Sequence, residues 1–190
     1  MVTPGSCRDS NAHITTDKYL QTSNLQIFAA GEVLATPGLV YVAAKEGRRS
    51  AGNSFADVPV PLTHDNVPEI IFTHPQIAKV GITEDTAVER GFKVSTTSLY
   101  IADTPYGLAN NDTKGIIKLI KNADSEELLS GEIMTKDAGN MIQTLTIAIQ
   151  AHTRAGDIIN TYFPYLTAVE GIKLGAIIFE KNVHTLSCCG

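Results

Sequence analysis

Two adjacent thiols, Cys188 and Cys189, are the residues whose type and spacing are most specific for chemistry. Neighbouring Cα atoms across a trans peptide lie about 3.8 Å apart, whereas ordinary disulfides begin at roughly 4.4 Å, so a disulfide between them would be strained and easily reduced. We therefore expect free thiols. Two soft thiolates within reach of each other suit a soft ion, of which Hg²⁺ is the extreme case, while zinc needs about four ligands. The spacing alone also allows two tail thiols that bind nothing.

A strand, a turn and a helix are predicted in the first third of the chain. The apolar run over residues 25–30 is too short for a helix and is closed by Gly31, which favours a buried strand. Residues 39–55 follow as a helix, approached through Pro37 and Gly38. This order of elements is the one in which nucleotide-binding folds hold a cofactor.

A domain boundary is predicted near residue 60, because prolines at positions 59, 61 and 68 exclude a helix there. We expect residues 1–60 to belong to one domain and residues 61–190 to a second. Strands followed by helices, instead of alternating with them, indicate an α+β fold with an antiparallel sheet. The predicted strands cover residues 69–73, 78–82, 94–100, 115–121 and 128–134.

Helices are predicted at about residues 83–90, from about Asp137, after an N-cap at Thr153, and over residues 167–180. The helix from Asp137 has the clearest pattern, because its apolar residues recur at spacings of three and four and form one stripe. These residues are Met141, Ile142, Leu145, Ala148 and Ile149.

Composition excludes several classes of protein. The 190 residues are 43% hydrophobic and 18% charged, and no apolar run approaches the length of a membrane span. The net charge of −5 and the scattered basic residues argue against a nucleic-acid partner. Three cysteines without an export signal argue against a disulfide scaffold. We therefore expect a cytoplasmic protein with neither membrane nor nucleic acid as a partner.

Residues 22–32, which end in Ala-Ala-Gly-Glu, and residues 41–47 resemble the last FAD-contacting segment of the pyridine nucleotide-disulfide oxidoreductase family. The resemblance implies an interface domain after a partial FAD-binding domain. It also implies cofactor contacts at Gly31, Glu32, Tyr41 and Val42. Glu32 stands where the family has Asp, which keeps the charge but moves the carboxylate oxygens. Residues 72–81, Phe-Thr-His-Pro-Gln-Ile-Ala-Lys-Val-Gly, are similar to the opening of the same family's interface domain.

Residues 163–170, Phe-Pro-Tyr-Leu-Thr-Ala-Val-Glu, distinguish between branches of the family. Members that reduce organic disulfides have a His as acid/base where this chain has Tyr165, and Glu170 matches the Glu that orients that His. A phenol with a reference pKa near 10 is a poor proton acceptor at neutral pH. Together with the Ser-Cys-Cys tail, the segment resembles the mercuric reductase branch.

The resemblance implies roles for these residues in a homodimer. Cys188 and Cys189 of one subunit would take Hg²⁺ and pass it to a redox-active cysteine pair of the other subunit, near Tyr165 and Glu170 as catalytic residues. FAD and NADPH would supply the electrons for its reduction. The dimer would form through the sheet and the C-terminal helices of the interface domain.

Two elements of such an enzyme are absent from the sequence. No Gly-x-Gly-x-x-Gly turn for a dinucleotide occurs, and Cys7 has no neighbour with which to form a redox disulfide. We therefore expect the isolated chain to bind Hg²⁺ without reducing it, and residues 1–60 to be mobile or to pair with another copy. Alternatives are a metal-sequestering protein without a flavin requirement, half of a flavin reductase for an organic disulfide, and a purely structural dimerisation module.

Overall fold

The computed structural model describes residues 8–182, which divide into two units between His64 and Asp65. We call residues 8–64 the N-terminal unit and residues 65–182 the sheet unit. Within the described residues, no helix has both the length and the apolar character needed to cross a membrane. The assignment of residues 1–60 to a partial FAD-binding domain stays a prediction.

Helix α1, Val40–Asn53, dominates the N-terminal unit and confirms the helix predicted there. Its buried face is largely polar, because Ser50 and Asn53 lie on it. The Ser50 hydroxyl donates to the Ala29 carbonyl at 3.3 Å. The Asn53 side-chain amide donates to the Tyr19 carbonyl at 2.9 Å. Since buried polar groups need hydrogen-bond partners, these contacts fix the surrounding loops against α1.

The strand predicted over residues 25–30 is wrong. Leu25 lies in a turn with 73% of its surface exposed, and Phe28 takes part in an isolated bridge instead of a ladder. The Thr22 hydroxyl donates to the Asn24 carbonyl at 3.0 Å. Local bonds of this kind offer the backbone an alternative to strand pairing. The short apolar run was therefore not sufficient evidence for a strand.

The sheet unit contains a five-stranded antiparallel sheet in the order β1-β2-β5-β4-β3. The five predicted strands are confirmed, with small shifts at their ends. Residues on one face alternate with those on the other, as antiparallel strands with one buried face require. The strands are β1 Glu69–Ile71, β2 Gln76–Gly81, β3 Val94–Tyr100, β4 Ile116–Asn122 and β5 Leu128–Thr135.

Two helices cover one face of this sheet. Helix α4, Ala138–Gln150, packs on β2 and β5, and α6, Glu170–Ile177, packs on β3 and β4. Two glycines permit the close approach of these helices to the sheet. A Cβ on Gly131 would lie 2.3 Å from Leu145 Cδ1 of α4, and a Cβ on Gly171 of α6 would lie 2.6 Å from a side-chain atom of the sheet. The apolar stripe predicted for α4 is buried in this core.

The segment between β3 and β4 contains two elements that were not predicted. A 3-10 turn, Ile101–Asp103, leads into the short helix α3, Pro105–Ala109. Thr104 caps α3 by accepting a hydrogen bond from the Gly107 amide at 3.0 Å. The Thr-Pro pair that opens α3 is a recognised helix-start signal, so the sequence did contain the information.

The remaining predicted helices are confirmed, with shifts at their ends. Helix α2 is Glu84–Glu89, and α5 is Ala155–Asn160. The N-cap of α5 is Arg154, not Thr153, and the Arg154 amide donates to the Asp157 carboxylate at 3.1 Å. Helix α6 begins three residues later than predicted, after a run of turns, and ends three residues earlier, at Ile177. The α+β fold class with an antiparallel sheet and helices is confirmed.

Candidate functional site

Residues 161–169, which we call the tyrosine loop, connect α5 to α6 and present Tyr165 with 56% of its surface exposed. One contact with the core and one hydrogen bond within the loop constrain it around this residue. Phe163 packs against the hydrophobic core of the sheet unit. The Thr167 hydroxyl donates to the Pro164 carbonyl at 2.8 Å. Tyr165 therefore sits on a short loop whose backbone is held close to the core.

Glu170 fixes the conformation of the residue that follows Tyr165. Its side chain is almost completely buried, and its Oε2 accepts a hydrogen bond from the Leu166 amide at 3.1 Å. Leu166 has a φ of 58°, in the left-handed region that a leucine seldom adopts. A buried carboxylate that accepts a backbone N–H makes a strong, charge-assisted bond, which offsets the cost of this conformation. The Glu170 side chain thus constrains the loop by accepting a hydrogen bond from the loop backbone.

The described residues do not contain a complete metal site. Within residues 8–182 no group of three or more His, Cys, Asp or Glu side chains could hold an ion. The phenol oxygen of Tyr165 is one potential ligand at the loop. Cys188 and Cys189, the predicted metal ligands, lie outside the described residues. The structure therefore links Glu170 to Leu166, the residue after Tyr165, and the relation of both predicted catalytic residues to the thiols stays a prediction.

Gly31, a predicted cofactor contact, lies at a left-handed turn with a φ of 82°. Its amide donates to Glu46 Oε2 at 2.6 Å, and Glu46 is fully buried. The other oxygen of Glu46 lies 2.8 Å from His64 Nε2. This cluster shapes the turn that precedes α1. Because the Gly31 amide already has a carboxylate partner, it is not available to a phosphate.

The other predicted cofactor residues surround the same turn. Glu32 is exposed and its carboxylate lies beside Gly38, where an added Cβ would come within 3.4 Å of Oε1. Val42 is 4% exposed and packs inside the unit, while Tyr41 is about half exposed. Glu32 could accept hydrogen bonds from ribityl hydroxyls. Of the four predicted contacts, Glu32 and Tyr41 are therefore open to a ligand, whereas the Gly31 amide is occupied and Val42 is buried. Their role as cofactor contacts stays a prediction.

Glu46 and His64 were not predicted as partners from the sequence. Glu46 lies four residues after Val42 and four before Ser50, on the buried side of α1. A charged residue at a buried helical position needs a partner, and that spacing could have drawn attention to it. His64 is remote in sequence, so no local pattern could have indicated their contact.

Two side chains in the described structure have shifted pKa values. Partial burial raises the pKa of Tyr106, and its hydrogen bond to Asp137 Oδ2 at 3.0 Å raises it further. For Asp9, desolvation acts to raise the pKa, but hydrogen bonds from His13 and Asn11 outweigh it, so the pKa lies below its ordinary value. Neither residue belongs to the tyrosine loop, so neither shift bears on its chemistry.

The sheet, its two covering helices and the tyrosine loop form the fold of the dimerisation domain of pyridine nucleotide-disulphide oxidoreductases. The family model for the pyridine nucleotide-disulphide oxidoreductase dimerisation domain matches residues 67–176, and the chain belongs to this family. Among solved structures, the flavoprotein disulfide reductase RclA from Escherichia coli aligns with a TM-score of 0.81 at 22% identity, covering 91% of this chain and 40% of that one. LpdA from Mycobacterium tuberculosis aligns with a TM-score of 0.84 at 20% identity, covering 93% of this chain and 39% of that one. These likenesses concern the fold.

Relatives of higher sequence identity belong to one branch of this family. A mercuric reductase of Staphylococcus aureus is 42% identical over 93% of this chain and 32% of its own length. A mercuric reductase of Bacillus cereus is 39% identical over 95% of this chain and 28% of its own length. The resemblance to mercuric reductases inferred from residues 163–170 is confirmed. The chain spans about a third of the length of these relatives.

Proposed function

We propose that this chain is the interface-domain portion of a FAD- and NADPH-dependent mercuric reductase. In this proposal Cys188 and Cys189 bind Hg²⁺ and deliver it to a site beside Tyr165. The observation that supports it best is the tyrosine loop, where buried Glu170 accepts a hydrogen bond from the Leu166 amide and Tyr165 is exposed. The named activity of the curated relatives supports the same substrate.

The vicinal thiols suit capture and release of the ion. Each thiol loses a proton when it binds the metal, so binding releases protons and tightens as pH rises. Transfer to other thiols exchanges one Hg–S bond for another, and the ion remains Hg²⁺ throughout. Two ligands leave the ion accessible to an incoming thiolate, whereas a closed four-ligand site would retain it.

The role proposed for the tyrosine loop is to hold a ligand, not to move a proton. Tyr165 replaces the acid/base histidine of the disulfide-reducing branch, and a phenol is a poor base at neutral pH. A loop fixed by Glu170 would present the phenol oxygen at a constant position, where it can approach the ion during transfer. Because the ligand is already positioned, less entropy is lost when the ion is transferred.

Reduction of the bound ion would need electrons that this chain does not supply. In the parent enzyme, FAD reduced by NADPH would deliver two electrons to Hg²⁺. Here the Gly31 amide already donates to Glu46, and the exposed Glu32 carboxylate is a group of this turn that could contact a flavin. We therefore propose that the isolated chain binds Hg²⁺ but does not reduce it.

The proposed assembly is a homodimer. The dimerisation-domain match over residues 67–176 supports it. In the proposed arrangement the thiols of one subunit serve the tyrosine loop and cysteine pair of the other subunit. A cytoplasmic location, where thiols stay reduced, is part of the same proposal.

The test is a titration of the fully reduced chain with Hg²⁺ in competition with a small dithiol. We expect one tightly bound ion per chain, loss of that binding in Cys188→Ser/Cys189→Ser, and unchanged binding in the control Cys7→Ser. Equal binding by the wild type and the double variant would refute delivery by the tail. Addition of FAD and NADPH should produce no elemental mercury from the isolated chain, and turnover would refute its proposed dependence on the rest of an enzyme.

A further inference from the structure

Residues 31–34, which we call the acidic turn, carry Glu32, one of the two predicted flavin contacts that are open to a ligand. The Leu34 amide donates to the Gly31 carbonyl at 2.9 Å and closes the turn. Leu34 is 3% exposed and belongs to the small apolar core of the N-terminal unit. The C-terminal end of the acidic turn is therefore anchored by packing, and Glu32 lies in its exposed middle.

The N-terminal end of the acidic turn is anchored by Glu46 of α1. Its Oε2 accepts the hydrogen bond from the Gly31 amide at 2.6 Å, and its side chain is fully buried. A short bond between an amide and a carboxylate is charge-assisted and roughly twice as strong as one between neutral groups. Because a buried carboxylate without partners is costly, the two groups should separate only when the unit opens locally. We therefore expect the bond from Gly31 to Glu46 to persist in solution.

His64 fixes the orientation of the Glu46 carboxylate. Its Nε2 lies 2.8 Å from Glu46 Oε1, the oxygen that does not bind Gly31. An Nε2–H can donate this bond in either the neutral or the protonated imidazole. Since each oxygen is bonded to a different partner, the carboxylate cannot turn its Oε2 away from the Gly31 amide without breaking a second bond. His64 thus supports the acidic turn through Glu46, although 18 positions separate the two residues.

The acidic turn also packs against α1 and against the segment that leads into it. A Cβ on Gly31 would lie 3.6 Å from the Ala43 Cβ of α1. A Cβ on Gly38 would lie 3.4 Å from Glu32 Oε1. The Glu32 carboxylate therefore lies close to the backbone just before the helix. Its position depends on where the turn stands relative to α1, and Glu46 is a residue of α1 that bonds to the turn.

We propose that Glu46 and His64 are positioning residues, which set the place at which Glu32 presents its carboxylate to the ribityl hydroxyls of a flavin. The inference rests on the flavin dependence of the proposed function and deepens it. Both residues act through the Gly31 amide instead of contacting the cofactor themselves. Glu46 also places a negative charge behind the turn, which favours hydroxyl donors over phosphates as ligands of Glu32.

The cluster of Gly31, Glu46 and His64 is complete within this chain. Glu46 is fully buried by the chain's own residues, and both of its oxygens have partners here. Added parts of a longer enzyme are therefore not required to form the cluster. The effect of replacing either side chain can be measured on this chain alone.

The first test replaces Glu46 in two steps. Glu46→Leu removes the acceptor, and we expect about 30-fold faster hydrogen exchange of the Gly31 amide, since a hydrogen bond to a charged group is lost. Glu46→Gln keeps an acceptor but not the charge, and exchange should be only about fivefold faster. Residual dipolar couplings should place the Glu32 amide at its wild-type angle to α1 in Glu46→Gln, but at altered or averaged angles in Glu46→Leu. This rescue distinguishes positioning of Glu32 from a general loss of stability.

Asp57→Asn is the matched control, because it also converts a carboxylate of the N-terminal unit to an amide but at an exposed position. It should change exchange of the Gly31 amide less than about twofold. Wild-type couplings of Glu32 in a folded Glu46→Leu would overturn the inference, and amides of α1 show whether the unit is folded. If Glu46→Leu does not fold, the Gly31 proton resonance in Glu46→Gln decides, because loss of the charge should move it upfield. An unmoved resonance would overturn the bond and the inference with it.

The second test concerns His64. His64→Leu leaves Glu46 Oε1 without its donor, and we expect about fivefold faster exchange of the Gly31 amide. His64→Gln retains a donor and should stay within about twofold of the wild type. Equal exchange rates in the wild type and His64→Leu would overturn the role of His64.

FAD is the probe that separates this inference from the proposed function. At about millimolar FAD, we expect the Glu32 amide resonance to shift in the wild type and in Glu46→Gln, and at least about fivefold less in Glu46→Leu. Equal shifts in the wild type and Glu46→Leu would overturn the positioning role but leave the flavin contact standing. No shift in the wild type would overturn the flavin contact itself, while the exchange rates still decide whether Glu46 holds the turn. Binding of Hg²⁺ by Cys188 and Cys189 is independent of these results.

Discussion

Removal of the Glu170 carboxylate should free the backbone of the tyrosine loop. In Glu170→Ala the Leu166 amide loses the acceptor that lies 3.1 Å away. A hydrogen bond to a charged group contributes about 1.5–3 kcal/mol, and its loss leaves Leu166 in a left-handed conformation that costs roughly 1–2 kcal/mol. We expect the free energy of local opening to fall by about 2 kcal/mol.

Hydrogen exchange measures this change at the residue concerned. A decrease of about 2 kcal/mol corresponds to roughly 30-fold faster exchange of the Leu166 amide under conditions where exchange reports the opening equilibrium. Glu170→Gln retains an acceptor but not the charge, so we expect only about fivefold acceleration. Glu180→Ala, which removes an exposed glutamate after α6, should leave the Leu166 amide unchanged.

One result in particular would contradict this role of Glu170. If the Leu166 amide exchanged at the wild-type rate in Glu170→Ala, the carboxylate would not hold the loop, whatever its effect on global stability. A general loss of stability would be recognised because amides of β4 and β5 would accelerate to the same extent.

Two further predictions concern stability. Gly81 and Gly91 both have left-handed φ values, but a Cβ on Gly81 would lie 2.1 Å from the Leu129 carbonyl oxygen, whereas nothing lies within 4 Å of one on Gly91. In urea unfolding we expect Gly91→Ala to cost about 1 kcal/mol and Gly81→Ala more than about 3 kcal/mol; equal costs would contradict the steric argument. The raised pKa of Tyr106, above its ordinary 10.0, means that its stabilising contribution is complete below pH 10 and is lost as pH rises through the folded-state pKa. Wild type should therefore lose more stability than Tyr106→Phe between pH 9 and 12 in thermal unfolding, and parallel curves would show that Tyr106 does not contribute.

Local patterns in the sequence predicted most of the sheet unit. Alternation identified its strands, and spacings of three and four identified α4, because side-chain direction along a strand or helix depends only on local backbone geometry. The same reasoning failed for residues 25–30. A short apolar run specifies a strand only if partners are present to pair with it, and here local hydrogen bonds around Thr22 and Asn24 decided the conformation instead.

The sequence by itself determined which residues are chemically unusual: the vicinal thiols, and a tyrosine and a glutamate five residues apart. Residue type and spacing suffice for this, since thiol softness and phenol acidity are properties of the side chains. Only the tertiary structure decided that Glu170 holds the Leu166 amide and that Glu46 joins Gly31 to His64. A row of apolar residues across the sheet likewise exists only because the register aligns them, and register depends on contacts across the whole sheet, not on any one segment. The row consists of Ile71, Ile77, Met134, Ile116 and Tyr100.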